Sequence, residues 1–280
     1  MSYNICIVKP KNYPHSDAFW EMAELLAFSL RDLGQDVVIS INEVFSDRQN
    51  ILFGGHLLTN HDFPPSTIIF NTEQLSLGVD HWVERIISLG KTHLIWDYSE
   101  NNIEFLREKD CKRIKKYQIG YHEKLFRIRQ RDLKDIDVLF YGSINGRRKK
   151  LLHELTEAGL RVKALFGVYG AQRDEYISRA KIVLNCHHYD AKIFEIVRVH
   201  YLINNAVTVV SEVDSETKID SFWRNIIFGV PFDEIVQECV KLSNNDAYRK
   251  KISERAFSKF KNQLQLNFTA ELIGVDTHKK

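Results

Sequence analysis

Short apolar runs alternate with helical periodicity along this chain, and the alternation stops once and then starts again. Between Asn4 and Asp97 the runs are NICIVK, DVVISI, NILFGG, STIIFN and THLIWD, each with the length and β-branched content of a buried strand. Residues 15–34 place Phe19, Met22, Ala23, Leu26, Leu30 and Leu33 at three- and four-residue spacing, and Gly34 ends that pattern. Residues 79–90 and 99–110 read as helices in the same way. Strands that alternate with helices pair in parallel and carry the helices on both faces of the sheet. The charged stretch GYHEKLFRIRQRDLKD, residues 120–135, breaks the rhythm. It resumes with DVLFYG, RVKALFG, AKIVLNC and AVTVVSE, with helices expected from about Arg147, Ala171 and Ala191, and the chain ends in helical sequence. The expectation is α/β: a first domain over residues 1–120, a linker at 121–135, and a second domain over 136–280 that includes the C-terminal helices. Ligands of such sheets bind at the carboxyl ends of the strands, and with two domains the cleft between them is the expected site.

Bulk properties narrow the function. The chain has 280 residues and is 44% hydrophobic, enough for a sizeable core. Its formal net charge of +2 gives no global attraction for nucleic acid, so an anion site must be local. Cys6, Cys111, Cys186 and Cys239 are scattered without CxxC spacing and read as reduced thiols of a cytoplasmic protein. No apolar run approaches the roughly 20 residues needed to span a bilayer. The start, MSYNICIVKP, reads as a first strand and not as a signal peptide.

The loops after strands hold the chemistry. In DVLFYGSINGRRKK, Gly142 ends a strand, and Ser143, Asn145 and Gly146 form a turn of small residues that lets backbone N–H groups approach a phosphate. Arg147 and Arg148 follow at a helix N-terminus, where the macrodipole is already positive, so an anion such as a diphosphate is expected there. The competing reading is a solvated cationic face. In LNCHHYDAKIFEIVRVHYL, His187, His188, Tyr189 and Asp190 form a polar loop, and Glu195 and Arg198 are placed on the following helix. Two adjacent histidines diverge, which argues against a metal site. Glu195 could accept from a ribose diol or pair with Lys192 or Arg198. In the first domain, His15 lies at the mouth of the first helix and could act as a general base, with Ser16 as the cap in the competing reading. His56 after Gly54-Gly55, and Glu73-Gln74 after the next strand, could shape an acceptor pocket or supply another base; Asp97 and Ser99 read as helix caps. DID at Asp135–Asp137 matches the DxD pattern of metal-dependent sugar transferases, but it precedes a strand and is discounted.

These motifs resemble the GT-B glycosyltransferases, and among them a bacterial family-1-like group. The likeness rests on DVLFYGSINGRR, AKIVLNCHHYDAKIFEIVRVHYL and VVSE, with YPHSDAFWEMAELL, ILFGGHLL, IIFNTEQL, IWDYSENNIEFL and IGYHEKL covering the rest. The resemblance implies two Rossmann-like domains facing a cleft, donor binding mainly to the second, and no required metal ion or other cofactor. It implies that Gly142 and Ser143, with Asn145 and Arg147 or Arg148, hold a diphosphate. It places Gly167 and Tyr169 of FGVYG near the base and Glu195 on the ribose, and it gives His15 the position of a catalytic base. Many GT-B enzymes carry E-x7-E; here His187 stands eight positions before Glu195, and His187, His188, Tyr189, Asp190 and Lys192 are the residues left in that loop for the donor.

The expected function is transfer of a sugar from a nucleoside-diphosphate sugar to an acceptor hydroxyl on a glycan, lipid-linked or protein acceptor, in surface-polysaccharide or glycoconjugate synthesis. Alternatives are an epimerase or phosphorylase on the same fold, a non-catalytic nucleotide-sugar-binding scaffold, or a sugar transferase acting on DNA, which would need a basic groove. Contact with the inner face of a membrane, through Arg127, Arg129 and Arg131 or the C-terminal lysines, stays open.

Overall fold

Two parallel sheets organise the chain. The computed structural model describes residues 1–58, 63–75, 80–189 and 191–276. The first sheet has six strands in the order β2-β1-β3-β4-β5-β6. They are β1 (Ser2–Ile7), β2 (Asp36–Ile41), β3 (Gln49–Phe53), β4 (Ile68–Asn71), β5 (Leu94–Asp97) and β6 (Ile114–Lys116). Helices α1 (Trp20–Asp32), α2 (Asp80–Thr92) and α3 (Glu100–Glu108) connect them. The second sheet has five strands in the order β11-β10-β9-β7-β8. They are β7 (Ile136–Tyr141), β8 (Val162–Leu165), β9 (Ala180–Asn185), β10 (Val209–Glu212) and β11 (Phe228–Val230). Around them run α4 (Gly146–Glu157), α5 (Gly170–Arg179), α6 (Ile196–Asn204), α7 (Ser221–Ile226), α8 (Ile235–Ser243) and α9 (Asp246–Lys261), and α10 (Gln265–Ile273) closes the chain.

The central strands are mostly apolar and buried because helices cover both faces. In β7 every residue but the last is buried. Its Val138 and Phe140 join Ile182, Leu184 and Val210 of the neighbouring strands and Leu151, Leu155, Ile235 and Leu242 of the helices in one core. In the first sheet Leu52, Ile69 and Ile95 pack with Ile86 and Leu89 of α2. All four cysteines are free and buried. Among the described residues no helix is long and apolar enough to cross a membrane.

The chain divides into two compact units, Met1–His122 with Gln263–Lys280, and Glu123–Asn262. Two sequence expectations change. The last helix, expected in the second domain, belongs to the first unit, where α10 packs on α1. What reads as one long helix breaks at Asn262–Leu264, and there the backbone of Gln263 and Gln265 pairs with that of Tyr121, at 2.7 and 2.9 Å. The Gln265 side chain accepts from Gly120 N at 2.6 Å and donates to Gln118 O at 3.1 Å. A Cβ on Gly120 would stand 2.4 Å from Gln263 O, so only glycine allows this approach.

The expected linker is also no free tether. Leu125 and Ile128 are buried, and Asn205 Oδ1 accepts from Arg127 N at 2.7 Å and Ile128 N at 2.8 Å. Arg127 donates to Tyr201 Oη, and Arg131 to Glu175, so two of the three cations thought to face a membrane are engaged within the second unit. Lys279 and Lys280 lie outside the described residues. The first helix starts later than its periodicity suggests: Pro14–Phe19 is a 3₁₀ segment, and α1 begins at Trp20.

Gly120→Ala should therefore loosen α10 from the first unit. Crowding of this kind costs about 1–3 kcal/mol, which at roughly 2–4 °C per kcal/mol is visible in a thermal melt followed by circular dichroism. An unchanged melting temperature would contradict the close approach.

Candidate functional site

The second sheet changes its direction of growth beside β7. β8 is added on one side of β7 and β9 on the other, so the loops after β7 and β9 diverge and leave a crevice at their carboxyl ends. Gly142 leaves β7 with φ +128°, in the left-handed half of conformational space, and a Cβ there would meet Arg198 Nη2 at 2.9 Å. Asn145 caps α4: its Oδ1 accepts from Arg148 N at 2.9 Å, and its Nδ2 donates to His188 O at 3.0 Å, tying the two loops together.

The four cations at the head of α4 have separate fates. Lys149 and Lys150 are exposed. Arg147 makes a bidentate pair with Glu212 at 2.8 and 2.5 Å and lies 3.6 Å over the Phe232 ring. Glu212, at the end of β10, is 1% exposed and also accepts from His187 N at 2.9 Å. Arg148 is 2% exposed; it donates to Ser143 O at 2.9 Å and to Cys186 O, and reaches Glu195 Oε1 at 3.5 Å. Both arginines expected to grip an anion thus have partners inside the protein.

Glu195 is the N-cap residue of α6, not a member of its first turn, because residues 191–195 are not helical. Lys192 has φ +50°, and its backbone pairs with Lys218 through Lys218 N to Lys192 O at 2.9 Å. The Lys192 ammonium is held by Asp214 at 2.6 Å and Glu216 at 2.5 Å, which raise its pKa. Around Glu195 stand Asn185 Nδ2 at 3.3 Å, His187 Nδ1 at 3.3 Å and Arg148. Burial would raise the Glu195 carboxyl, but His187, Arg198 and Arg148 outweigh it and leave the pKa lowered. Arg198 donates to Asn185 Oδ1 at 3.2 Å and stands over the Phe140 and Tyr141 rings. Burial and then the neighbouring Arg198 depress Arg148. Two guanidinium groups against one carboxylate, at the mouths of α4 and α6, leave local positive charge for an anion.

His188 and Tyr189 lie in the loop after β9. His188 lies 3.4 Å from Arg148, and burial and that cation lower its pKa; the Tyr189 ring stands perpendicular to it at 4.7 Å. Gly167, φ +69°, and Tyr169, just before α5, lie in the loop after β8, where Phe166 is 61% exposed. Asp190 is outside the described residues. The DID pair sits at the opposite end of the sheet: Asp137 takes Arg161 at 2.9 Å and Lys181 at 2.8 Å, and Asp135 pairs with Arg179. Among the described residues no three His, Cys, Asp or Glu side chains gather to hold a metal ion. Sequence reasoning treated Arg198 only as a salt-bridge partner and passed over Glu212 as a structural acid. Their shared signal is a single charge in otherwise apolar sequence, at the end of β10 for Glu212 and in the first turn of α6 for Arg198.

The first sheet reverses between β1 and β3. His15 lies in the 3₁₀ segment beyond the β1 loop, with its ring 5.4 Å from that of Tyr13. His56 follows β3, is 1% exposed, and is pushed down to about 4 by burial, Arg85 and His81. Glu73 follows β4, with Oε1 3.6 Å from His56 Nε2, and burial pushes its carboxyl up to about 7. Asn71 Nδ2 and Asn102 Nδ2 hold Glu73 O at 3.0 and 2.7 Å. Both amides also donate to Asp97, which sits at the centre of this network and is not a helix cap; Ser99 caps α3.

No family model matches the chain. It is 29% identical over 189 residues to an uncharacterized protein of Acanthamoeba polyphaga mimivirus, covering 65% of this chain and 60% of that one. A second uncharacterized mimivirus protein is 30% identical over 188 residues, covering 64% and 63%. The chain thus spans about three-fifths of the length of these relatives. Among solved structures, the DNA-modifying enzyme beta-glucosyltransferase, with and without its substrate uridine diphosphoglucose, matches at TM-score 0.60 and 13% identity over 98% of this chain and 99% of that one. The fold is GT-B. WaaG, a glycosyltransferase involved in lipopolysaccharide biosynthesis, matches at TM-score 0.57 and 11% identity, covering 99% of this chain and 100% of that one. T4 phage beta-glucosyltransferase in complex with UDP and Mn2+ matches at TM-score 0.60 and 12% identity, covering 98% and 99%. At these identities the likeness is one of fold.

The committed arginine can be separated from the less committed one. Arg147→Ala should destabilise the second unit by on the order of 3 kcal/mol, because it strands a buried carboxylate, and adding Glu212→Gln should restore most of the loss. Urea unfolding of the wild type and both variants checks this; equal stability of wild type and Arg147→Ala would refute it.

Proposed function

We propose that the protein is a glycosyltransferase that moves a sugar from a nucleoside-diphosphate sugar to an acceptor hydroxyl. The observation that carries this reading is the cationic crevice at the switch point of the second sheet, where Arg148 and Arg198 face a single carboxylate at two helix mouths. Gly142 lets the Arg198 guanidinium approach the backbone beside the capped N-terminus of α4. In this reading the diphosphate sits against Arg198 and the loop from Gly142 to Asn145. Its developing negative charge is balanced as the bond from the anomeric carbon to the phosphate oxygen breaks. Glu195, whose polar neighbours stand at 3.3–3.5 Å, keeps capacity to accept from a ribose diol. Gly167 and Tyr169, beside the exposed Phe166 ring, suit the base.

The acceptor side is assigned to the first unit. Burial pushes the Glu73 carboxyl up to about 7, close to a neutral working pH, which is where a general base works best. His56, pushed down to about 4, stays neutral beside it. Fixed arginine charge supports a reaction in which no metal ion is needed to stabilise the leaving group. The motif likeness to a bacterial family-1-like group supports a role in surface-polysaccharide or glycoconjugate assembly, in the cytoplasm.

Two measurements test this reading. Calorimetry with UDP, GDP and their sugars, in EDTA, should show binding that weakens tenfold or more in an Arg198→Ala variant that a thermal melt shows to be folded at the assay temperature. Absence of binding to the wild type would sink the donor site, and binding only with added Mn2+ would sink metal independence. Turnover should rise from pH 6 to pH 8 with a midpoint near the Glu73 value of about 7, because a base must lose its proton to act. Glu73→Gln should remove that rise and most of the rate; an unaltered profile would transfer the role to His15.

A further inference from the structure

The first sheet has a switch point of its own, and what surrounds it is chemically unlike the cationic crevice. Tyr13, beyond the β1 loop, and Trp82, on α2, set their rings perpendicular with centroids 6.2 Å apart. The His56 ring lies 4.8 Å from that of Trp82. Tyr13 and Trp82 are both only half-buried, so each ring still offers surface to solvent. His56 is the opposite: it is almost fully buried, yet its Nε2 has no hydrogen-bond partner among the described residues. The nearest carboxylate oxygen, Glu73 Oε1, stands 3.6 Å away, too far for a hydrogen bond. Buried polar atoms are rarely left unsatisfied, and such an orphan requires an explanation. A hydroxyl group supplied from outside fits: it can donate to the carboxylate and accept from, or donate to, the imidazole.

We infer that the first unit carries a subsite for an uncharged sugar ring, seated against Trp82 and Tyr13 with one hydroxyl directed at Glu73 and His56. A sugar ring combines an apolar C–H face with polar edges, and it matches a corner of aromatic faces beside two polar atoms. Charge supports the choice. Lys9 is paired with Asp17 at 2.6 Å, and Arg85 donates to His56 O at 2.9 Å. Lys9 is thus balanced by a carboxylate, and Arg85, still charged, is turned to a backbone carbonyl, so these cations do not form the paired-guanidinium arrangement of the second unit that suits a polyphosphate chain. A glycan is favoured over nucleic acid for that reason. That the ring is the acceptor of sugar transfer rests on the proposed function above; that a sugar binds here does not.

The test uses the intact chain and no nucleotide. Saturation-transfer NMR and tryptophan fluorescence are recorded with methyl glycosides of glucose, galactose, mannose and N-acetylglucosamine, with their short oligomers, and with a duplex DNA oligonucleotide. At least one glycoside should bind, and its affinity should fall about tenfold or more in Trp82→Ala, in Tyr13→Ala and in the near-isosteric Glu73→Gln. Arg198→Ala should leave glycoside binding unchanged. Thermal melts identify any variant that is merely misfolded, and Tyr13→Ala, at a half-exposed residue, keeps the test open if Trp82→Ala unfolds. No glycoside signal, binding indifferent to all three substitutions, or DNA binding lost in Trp82→Ala would each overturn the inference. Glycoside binding without any nucleotide binding would keep the subsite and remove the transferase reading; nucleotide binding alone would do the reverse.

Discussion

Two strands that run in the same direction cannot be joined by a tight turn, so every connection in both sheets must travel back across a face before the next strand begins. The crossovers leave from carboxyl ends, and the polar loop residues collect there while the strands themselves are mostly apolar. Where growth of the sheet reverses, beside β7 and between β1 and β3, neighbouring loops move apart instead of packing. Gly142, Asn145 and Glu195 meet at one of these points, and Tyr13, His56 and Glu73 gather near the other. The order of strands sets where these residues gather, and local backbone features such as the left-handed Gly142 and Lys192 set how they are placed there.

Charge is handled differently at the two points. In the second unit, buried guanidinium groups are stabilised by carbonyl oxygens and by carboxylates at strand ends, as with Arg148 on Ser143 O and Cys186 O. Such an arrangement is stiff, because moving one ion strands another. In the first unit burial is the main influence on Glu73 and His56, with Arg85 acting in the same direction on His56, and both are pushed toward their neutral forms. One set of loops holds charges in place by pairing them, and the other favours neutral side chains by burying them.

Most of the architecture was legible because hydrophobic periodicity reports burial directly. The strands missed were the short ones: IKK in β6 has no apolar run, and FGV in β11 is three residues with a central glycine. The alternation of α and β could not show that Glu195 precedes α6, since the cause is the left-handed Lys192 and its pairing with Lys218, and lysine gives no hint of that conformation. The break before α10 is equally silent, with neither glycine nor proline at Asn262–Leu264. For the candidate site, residue types at strand ends located the loops but not the partners. Whether Arg147 or Arg198 is the committed cation depends on Glu212, 65 residues from Arg147 in sequence.

The return of α10 to the first unit has a consequence for how the chain is made. The bond between Gly120 and Gln265 joins residues 145 positions apart, with the whole second unit between them. A chain emerging from the ribosome can complete the second unit while the first still lacks its final helix. The first unit therefore finishes last although it is synthesised first, and until then the face of α1 that α10 covers is open to chaperones or to a neighbouring chain.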